Sequence, residues 1–103
     1  MDKKFNVLVL NTVDKYLNEL SLVEKSKIEA SFSVLENGDF KLLNIRHLRG
    51  DIKELKIKRH RIIFFIHKNT ICFVDAFVKK TQKTPKRKIE NALKIYKEII
   101  KLI

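Results

Sequence analysis

The cationic side chains Arg61, Lys56 and Lys80 are of the types that can catalyse cleavage at a phosphodiester. RNA is cut when its 2′-hydroxyl loses a proton and attacks the adjacent phosphate, a reaction that needs a base, a charge-stabilising donor and an acid. Arginine suits the phosphate, because its planar guanidinium donates two hydrogen bonds and stays protonated. We expect Arg61 to bind the phosphate and Lys56 or Lys80 to act as base or acid, since neighbouring cations make a lysine lose its proton more readily.

Positive charge is concentrated in one segment of the chain, whose overall net charge is +11. Residues 46–88 contain fourteen Lys and Arg against three Asp and Glu, a net charge of +11, while the two flanking segments cancel. Such a field attracts polyanions, although a solvated lysine-rich surface is a simpler alternative. The side chains that we expect to contact RNA are Lys58, Arg59, His60, Lys79, Gln82, Lys83, Lys86 and Arg87.

The other reactive side chains fit structural roles better than catalytic ones. His47 and His67 fall in a connection and at a turn, where we expect solvation. Cys72 lies in an apolar run typical of a buried strand, where a small apolar role is favoured. The histidines are not at metal-ligand spacing with Cys72 or with a carboxylate pair, so we expect neither a metal nor another cofactor.

Length and composition predict one domain spanning residues 1–103, large enough to bury a core but too small for two. A single cysteine cannot form an internal disulfide, and no run of 18 apolar residues predicts a membrane span or a membrane partner. The start of the chain, MDKKFNVLVL, is not followed by a small-residue cleavage site. We therefore expect no signal peptide and a cytoplasmic location.

Hydrophobic periodicity predicts an α+β fold in which a strand and a helical hairpin precede three further strands and a last helix. The hairpin is expected to pack on a mainly antiparallel sheet of about four strands. In chain order, the predicted elements before the last helix are a strand at Phe5–Leu10, helices at Thr12–Leu20 and between Ser21 and Asn37, a variable connection at Leu42–Gly50, and strands at Ile52–Ile57, Arg61–His67 and Thr70–Val78.

Capping signals mark where two of the predicted helices begin. Ser21 followed by Glu24 is a capping box, in which the hydroxyl and the carboxylate each meet a free amide. Thr84 is expected to cap the last helix, with Pro85 at the first position, where a missing amide costs nothing. Tyr96 falls on the apolar stripe of this helix, so we expect it in the core.

Two-residue turns at Lys58-Arg59 and Lys68-Asn69 would decide which strand residues face each other. They place Lys56 opposite Arg61, and Arg61 opposite Ala76; a bulge at the first turn would instead reverse the face of Lys56. One face of the sheet then carries a core made of Leu55, Ile57, Ile62, Phe64, Ile66, Ile71, Phe73 and Phe77. The opposite face brings three cations together, because it carries Glu54, Lys56, Arg61, Ala76, Val78 and Lys80.

The run from Leu48 to Ala92, which includes LRGDIKELKI, HRIIFF and ICFVDAFVKKTQKTPKRKIENA, resembles the RelE/HigB superfamily of type II toxin–antitoxin toxins. KKTQKTP is its most specific part and is similar to the phage-derived HigB-like branch. The resemblance implies a RelE-like fold and ribosome-dependent cleavage of messenger RNA. It also implies a cognate antitoxin, usually with a helix-turn-helix domain. By position, it assigns Lys56, Arg61 and Lys80 to the active site.

The sequence departs from the family pattern just before KKTQKTP, where Asp75-Ala76 replaces the usual His-Gly. We expect Asp75 to be structural or paired with a basic neighbour. Some RelE toxins also have an active-site tyrosine near the end of the chain; the corresponding residues 84–88 contain no tyrosine here.

Two other functions stay open. One is a non-catalytic RNA- or DNA-binding module. The other is a ParE-like gyrase inhibitor on the same fold, against which KKTQKTP argues.

Overall fold

A computed structural model describes residues 4–103; residues 1–3, part of the N-terminal stretch considered above as a signal sequence, lie outside that range. The described elements, in chain order, are β1 (Asn6–Val9), α1 (Asn11–Asn18), α2 (Leu22–Glu36), a 3₁₀ turn (Phe40–Leu42), β2 (Asn44–Arg49), β3 (Ile52–Ile57), β4 (His60–His67), β5 (Thr70–Val78) and α3 (Lys86–Ile99). The predicted α+β class is confirmed. No helix in residues 4–103 combines the length and apolar content needed to cross a membrane.

The strands within residues 4–103 form one five-stranded sheet in the order β1-β5-β4-β3-β2. β1 runs parallel to β5, and every other neighbouring pair is antiparallel. The prediction of about four strands missed β2, because its stretch was interpreted as a variable connection. β2 is a mostly exposed edge strand in which Ile45 and Leu48 are only half-buried, so it lacks the apolar alternation that marks the other strands.

Helices cover both faces of the sheet, so residues 4–103 contain two hydrophobic clusters. On one face, α1 and α2 meet β3, β4 and β5; the buried residues there are Val13, Leu17, Ile28, Phe32, Leu35, Leu55, Ile62, Phe64, Ile71, Phe73 and Ala76. On the other face, α3 covers a smaller cluster of Ile52, Ile63, Phe65, Cys72, Val74 and Ala92. Tyr96 packs edge-on against Phe65 in this second cluster, as expected for a core residue.

Both predicted hairpin turns are confirmed, because Ile57 pairs with His60 and His67 pairs with Thr70. Lys56 therefore faces Arg61, as predicted. The first residue of each turn adopts a left-handed backbone conformation, with φ of 54° at Lys58 and 55° at Lys68. Non-glycine residues adopt this conformation at an energetic cost of about 1–2 kcal/mol, so both turns carry local strain.

A β-bulge in β5 makes the pairing predicted for Arg61 wrong. Phe64 pairs with Phe73 but Ile63 pairs with Asp75, which leaves Val74 as an extra residue on β5. Beyond the bulge, every side chain of β5 lies on the opposite face of the sheet from the one predicted, because side chains alternate along a strand. Arg61 therefore lies opposite Phe77 rather than Ala76.

The same change of face exchanges Phe77 and Ala76. Phe77 packs on the α3 side instead of in the hairpin-side core, and Ala76 takes a place in that core. The other residues predicted for the core, from Leu55 to Phe73, do lie in or against the hairpin-side cluster.

The structure confirms half of one predicted helix cap and contradicts the other. The Ser21 hydroxyl accepts from the Glu24 amide at 3.2 Å, which is one half of the predicted capping box. The Glu24 carboxylate accepts from Arg59 rather than from an amide at the helix start. The prediction that Thr84 caps the last helix is wrong: α3 begins at Lys86 without a side-chain cap, and the Thr84 hydroxyl donates to Glu54 instead. That contact ties the residues before α3 to strand β3.

Candidate functional site

Helix α3 leaves one end of its face of the sheet uncovered. Cationic side chains from β2, β3, β4 and the chain just after β5 lie together there. Strand pairing places Arg46 opposite Glu54, and Lys56 opposite Arg61. Residues two apart along a strand lie on the same face, so both pairs belong to one surface. We call Arg46, Glu54, Lys56, Arg61 and Lys79 together the basic face.

Arg61 is fixed in position on the basic face. Only 8% of the residue is exposed, and its Nη1 donates to the carbonyls of Lys58 at 2.7 Å and His60 at 2.8 Å. Within residues 4–103, both of its hydrogen bonds come from Nη1, and its Nε is buried without a partner. An unpaired buried donor costs about 1–3 kcal/mol. The two hydrogen bonds from Nη1 hold the guanidinium in place, so an anion that bound its other donors would not have to reorient the side chain first.

Lys79 joins the basic face because of the bulge at Val74. It follows Phe77 by two residues, and its amide donates to the Arg59 carbonyl at 2.9 Å, which extends the pairing of β5 with β4. Lys79 therefore lies on the same side of the sheet as Arg61. Its side chain is half-buried, whereas that of Lys80 is exposed.

The surroundings of Lys79 make its neutral form more accessible. Partial burial lowers the pKa of Lys79 below its ordinary 10.5, because the charged form loses hydration. Neighbouring charges act as well: in decreasing order of effect, those of Arg61 and Lys56 lower the pKa, that of Glu54 raises it, and that of Arg46 lowers it. Lowering prevails, so Lys79 loses its proton more readily than an ordinary lysine does.

Two contacts hold the segment between β5 and α3, residues 79–85, against the sheet. Glu54 is 1% exposed, and its Oε1 accepts from the Thr84 hydroxyl at 2.5 Å. Lys88 Nζ lies 3.1 Å from Asp75 Oδ2, which confirms the expectation that Asp75 pairs with a basic neighbour. The start of α3 and the residues before it are thereby anchored beside the basic face.

The structure separates the residues that the sequence proposed as catalytic. Arg61 and Lys56 lie side by side, as predicted. The predicted convergence of Lys80 with them rested on the pairing that the bulge overturns, and the exposed Lys80 lines a groove at the sheet edge instead. Lys79, proposed only as an RNA contact, stands in its place. Arg46 was missed because β2 was not recognised as a strand, so its pairing with Glu54 could not be foreseen.

The predicted RNA contacts divide into exposed and buried groups. Six of the eight are exposed: Lys58, Arg59, Gln82, Lys83, Lys86 and Arg87. His60 is the correction, because it is only 3% exposed and lies on the hairpin side of the sheet. Its ring is hydrogen-bonded to the Tyr16 hydroxyl at 2.5 Å and lies 3.3 Å from Glu24 Oε1, so it does not contribute to the basic face.

Glu24 links this buried histidine to the turn between β3 and β4. Its Oε1 accepts from Arg59 Nη2 at 2.9 Å. Desolvation acts to raise the pKa of Glu24, but hydrogen bonds from His60 and Arg59 prevail and lower it.

Among residues 4–103, no cluster of three or more His, Cys, Asp or Glu side chains is arranged to hold a metal ion.

Solved structures with the same fold include RelE proteins from three organisms. The archaeal RelE–RelB complex from Pyrococcus horikoshii OT3 matches with a TM-score of 0.68 and 15% identity, covering 75% of this chain and 97% of that chain. The RelB–RelE antitoxin–toxin complex from Methanococcus jannaschii matches with a TM-score of 0.60 and 20% identity, covering 76% and 99%. The toxin–antitoxin complex RelBE2 from Mycobacterium tuberculosis gives a TM-score of 0.59 and 12% identity, covering 74% and 99%. The chain thus has a RelE-like fold.

Sequence comparison identifies the family itself. No curated protein matches the chain significantly. Residues 15–97, from the middle of α1 into the last turn of α3, match the family described as "Phage derived protein Gp49-like (DUF891)". Since this match spans most of the 103 residues, the chain belongs to the phage-derived Gp49-like family.

Proposed function

We propose that this protein is the toxin of a type II toxin–antitoxin system and acts as a metal-independent endoribonuclease on messenger RNA in the ribosome. The observation that carries the proposal is the basic face, where a preoriented arginine, a second cation and a lysine with a lowered pKa converge. The RelE-like fold supports it, because the similar structures are toxin–antitoxin complexes.

In the proposed reaction, neutral Lys79 takes the proton from a 2′-hydroxyl, and the 2′-oxygen forms a bond to the adjacent phosphorus. Arg61 donates hydrogen bonds to the non-bridging oxygens, whose negative charge grows in the transition state. The bond from phosphorus to the 5′-oxygen breaks, and protonated Lys56 gives its proton to that oxygen. The products are a 2′,3′-cyclic phosphate and a 5′-hydroxyl. Lys79 thus replaces Lys80 in the scheme that the sequence suggested.

The exposed cations around the basic face have a positioning role in this proposal. Phosphate contacts fix the register of a nucleic acid without themselves reading its sequence. Lys83, Lys86 and Arg87 lie in and after the segment that Thr84 holds against β3, so they extend the positive surface away from the reaction centre. They would bind ribosomal RNA beside the messenger strand in the cytoplasm. A cognate antitoxin, with a helix-turn-helix domain in the branch that the sequence resembles, completes the proposed system.

The test is single-turnover cleavage of a defined message on programmed ribosomes, with ribosome binding measured separately. We expect new in-frame 5′ ends with the wild-type chain and none with the Lys79→Met variant, while Lys94→Gln on the exposed side of α3 serves as the matched control. Binding without cleavage would favour a non-catalytic RNA-binding module. Growth arrest with intact messages and altered DNA supercoiling would favour a gyrase inhibitor.

A further inference from the structure

The backbone of the turn between β3 and β4 holds two of the groups assigned to the cleavage reaction. The carbonyls of Lys58 and His60 accept from Arg61 Nη1 at 2.7 Å and 2.8 Å. The carbonyl between them, that of Arg59, accepts from the Lys79 amide at 2.9 Å. Three successive carbonyls therefore position both the phosphate-binding arginine and the backbone of the base. We call Lys58, Arg59 and His60 the turn segment.

The side chains of the turn segment are held from the other side of the sheet. The ring of His60 is hydrogen-bonded to the Tyr16 hydroxyl at 2.5 Å, and its Nε2 lies 3.3 Å from Glu24 Oε1. Arg59 Nη2 donates to the same Glu24 oxygen at 2.9 Å. Tyr16 belongs to α1, and Glu24 lies in the first turn of α2. We call Tyr16 and Glu24 the hairpin anchor, because through them the two helices hold the turn segment.

The hydrogen bonds of the hairpin anchor are mutually consistent in one arrangement of protons. Burial raises the pKa of the Tyr16 hydroxyl, so this group stays protonated and donates to His60 Nδ1. In the neutral ring the proton then lies on Nε2, which donates to Glu24. Glu24 Oε1 accepts from both His60 and Arg59. The orientation of the His60 ring is thereby fixed from both of its nitrogens.

The turn segment needs such restraint because its backbone is strained. Lys58 has a φ of 54°, a left-handed conformation that residues other than glycine adopt at a cost. His60 and Arg61 are both nearly buried, and neighbouring side chains of a strand point to opposite faces. A rotation of the backbone at His60 would therefore move the carbonyl that holds Arg61. Without the hairpin anchor, we expect the turn segment to relax and Arg61 to lose its fixed orientation.

Stabilisation of the fold is the simpler explanation of these contacts, and it accounts for them poorly. The Glu24 side chain is 34% exposed and that of Arg59 is 61% exposed, and ion pairs this accessible to solvent stabilise a fold little. An apolar side chain could fill the place of His60 without two ring nitrogens that must be satisfied. Orientation of the turn segment is what the polar contacts provide and an apolar contact would not.

We propose that Glu24 and Tyr16 are positioning residues for RNA cleavage, which hold the turn segment so that its carbonyls keep Arg61 and Lys79 in place. This inference rests on the proposed function. Both residues belong to the helical hairpin, on the opposite side of the sheet from the basic face, so they act through the turn segment and not on the substrate. Preorganised donors act on the transition state. The hairpin anchor should therefore change the rate of the chemical step and leave ribosome binding unchanged.

Three variants of helix α2 test this proposal in single-turnover cleavage on ribosomes. Glu24→Ala removes the shared acceptor and should slow cleavage by about 10–10²-fold, the effect of a small misplacement of a catalytic group. Glu24→Gln keeps an oxygen that can accept from both donors, so it should recover most of the rate. Glu29→Ala removes the same charge from an exposed position of the same helix and should cut at the wild-type rate. Tyr16→Phe, which keeps the ring but not the donor, should slow cleavage without weakening ribosome binding.

A second measurement follows Arg61 in the free protein. Its Nε is buried, so ¹⁵N NMR should show slow exchange of the Nε proton with water, in a signal assigned through its absence from Arg61→Lys. Glu24→Ala should make this exchange faster, and Glu29→Ala should not. The measurement needs neither RNA nor a ribosome. If the wild-type chain cut no RNA, the proposed function would fail, and the exchange rates would still decide whether the hairpin anchor orients Arg61.

Several outcomes would overturn the proposal. Equal slowing by Glu24→Ala and Glu29→Ala, or no recovery in Glu24→Gln, would show that charge matters rather than the shared contact. A lower Tm of Glu24→Ala with a wild-type cleavage rate would leave these residues with a structural role alone. Weaker ribosome binding at an unchanged rate of cleavage would place them in binding. Unchanged exchange of the Arg61 Nε proton in Glu24→Ala would remove the link between the hairpin and the arginine.

Discussion

The adjacent lysines Lys79 and Lys80 should differ sharply in their contribution to RNA cleavage. Loss of a general base typically slows a reaction by about 10²–10⁴-fold, and we expect that loss for Lys79→Met in single-turnover cleavage on ribosomes. Lys80→Met removes an exposed charge that solvent screens, so its rate should fall less than about fivefold. Methionine retains the length and apolar stem of lysine, which limits the change in packing.

The pH dependence of cleavage tests the same assignment independently. If neutral Lys79 is the base and protonated Lys56 the acid, the rate should rise with pH around an apparent pKa below 10.5 and fall again once Lys56 loses its proton; the rising limb reports Lys79, whose pKa burial and neighbouring cations lower. Glu54 acts to raise this pKa and Arg46 acts to lower it. Glu54→Gln should therefore shift the midpoint of the rising limb to lower pH, and Arg46→Gln should shift it to higher pH.

Two controls separate base catalysis from charge and from stability. Lys79→Arg keeps the positive charge but removes the base, so it should be as slow as Lys79→Met. The folded protein binds the Lys79 proton less tightly than the unfolded chain does, so the charge opposes folding at neutral pH. Lys79→Met should accordingly not lower Tm. Wild-type cleavage by Lys79→Arg, or equal losses in Lys79→Met and Lys80→Met, would refute the reasoning.

Three further predictions concern the rest of the fold. Arg61→Lys should reduce single-turnover cleavage by about 10²–10³-fold while ribosome binding persists, and it should lower Tm because lysine cannot reproduce the planar donor that reaches both turn carbonyls. Cys72 is fully buried, and burial raises the pKa of its thiol to about 11; its modification by Ellman's reagent should therefore require unfolding, and rapid reaction of the native protein would contradict this. Lys68→Gly should stabilise the protein by about 1 kcal/mol in urea unfolding, because Lys68 has a φ of 55°, whereas Asn69→Gly, at a residue without a positive φ, should give no gain.

Local sequence signals were sufficient to predict the β3–β4 and β4–β5 hairpins, because each turn is short and lies between strands rich in apolar residues. Once Ile57 pairs with His60, alternation determines the faces of β3 and β4 without further information. The faces of Phe64 and Phe73 followed in the same way, and their rings lie in one cluster. Errors began at Val74, because a bulge requires an extra residue that no glycine or proline marks in this strand.

The edge strand β2 illustrates a different limit. Its residues are mostly exposed, and its last pairing shifts between His47 and Arg49. A strand with one partner and little buried surface does not need the alternation by which strands are recognised. What holds β2 in place is backbone pairing with β3, which is a long-range property of the fold. Arg46 could therefore be connected with the basic face only after the sheet was known.

The bulge at Val74 explains how one short strand end contributes both to the basic face and to the groove at the sheet edge. It turns Asp75 toward Lys88 of α3 and places Phe77 opposite Arg61. Alternation then directs Lys79 to the basic face, while the exposed Lys80 contributes to the groove alone.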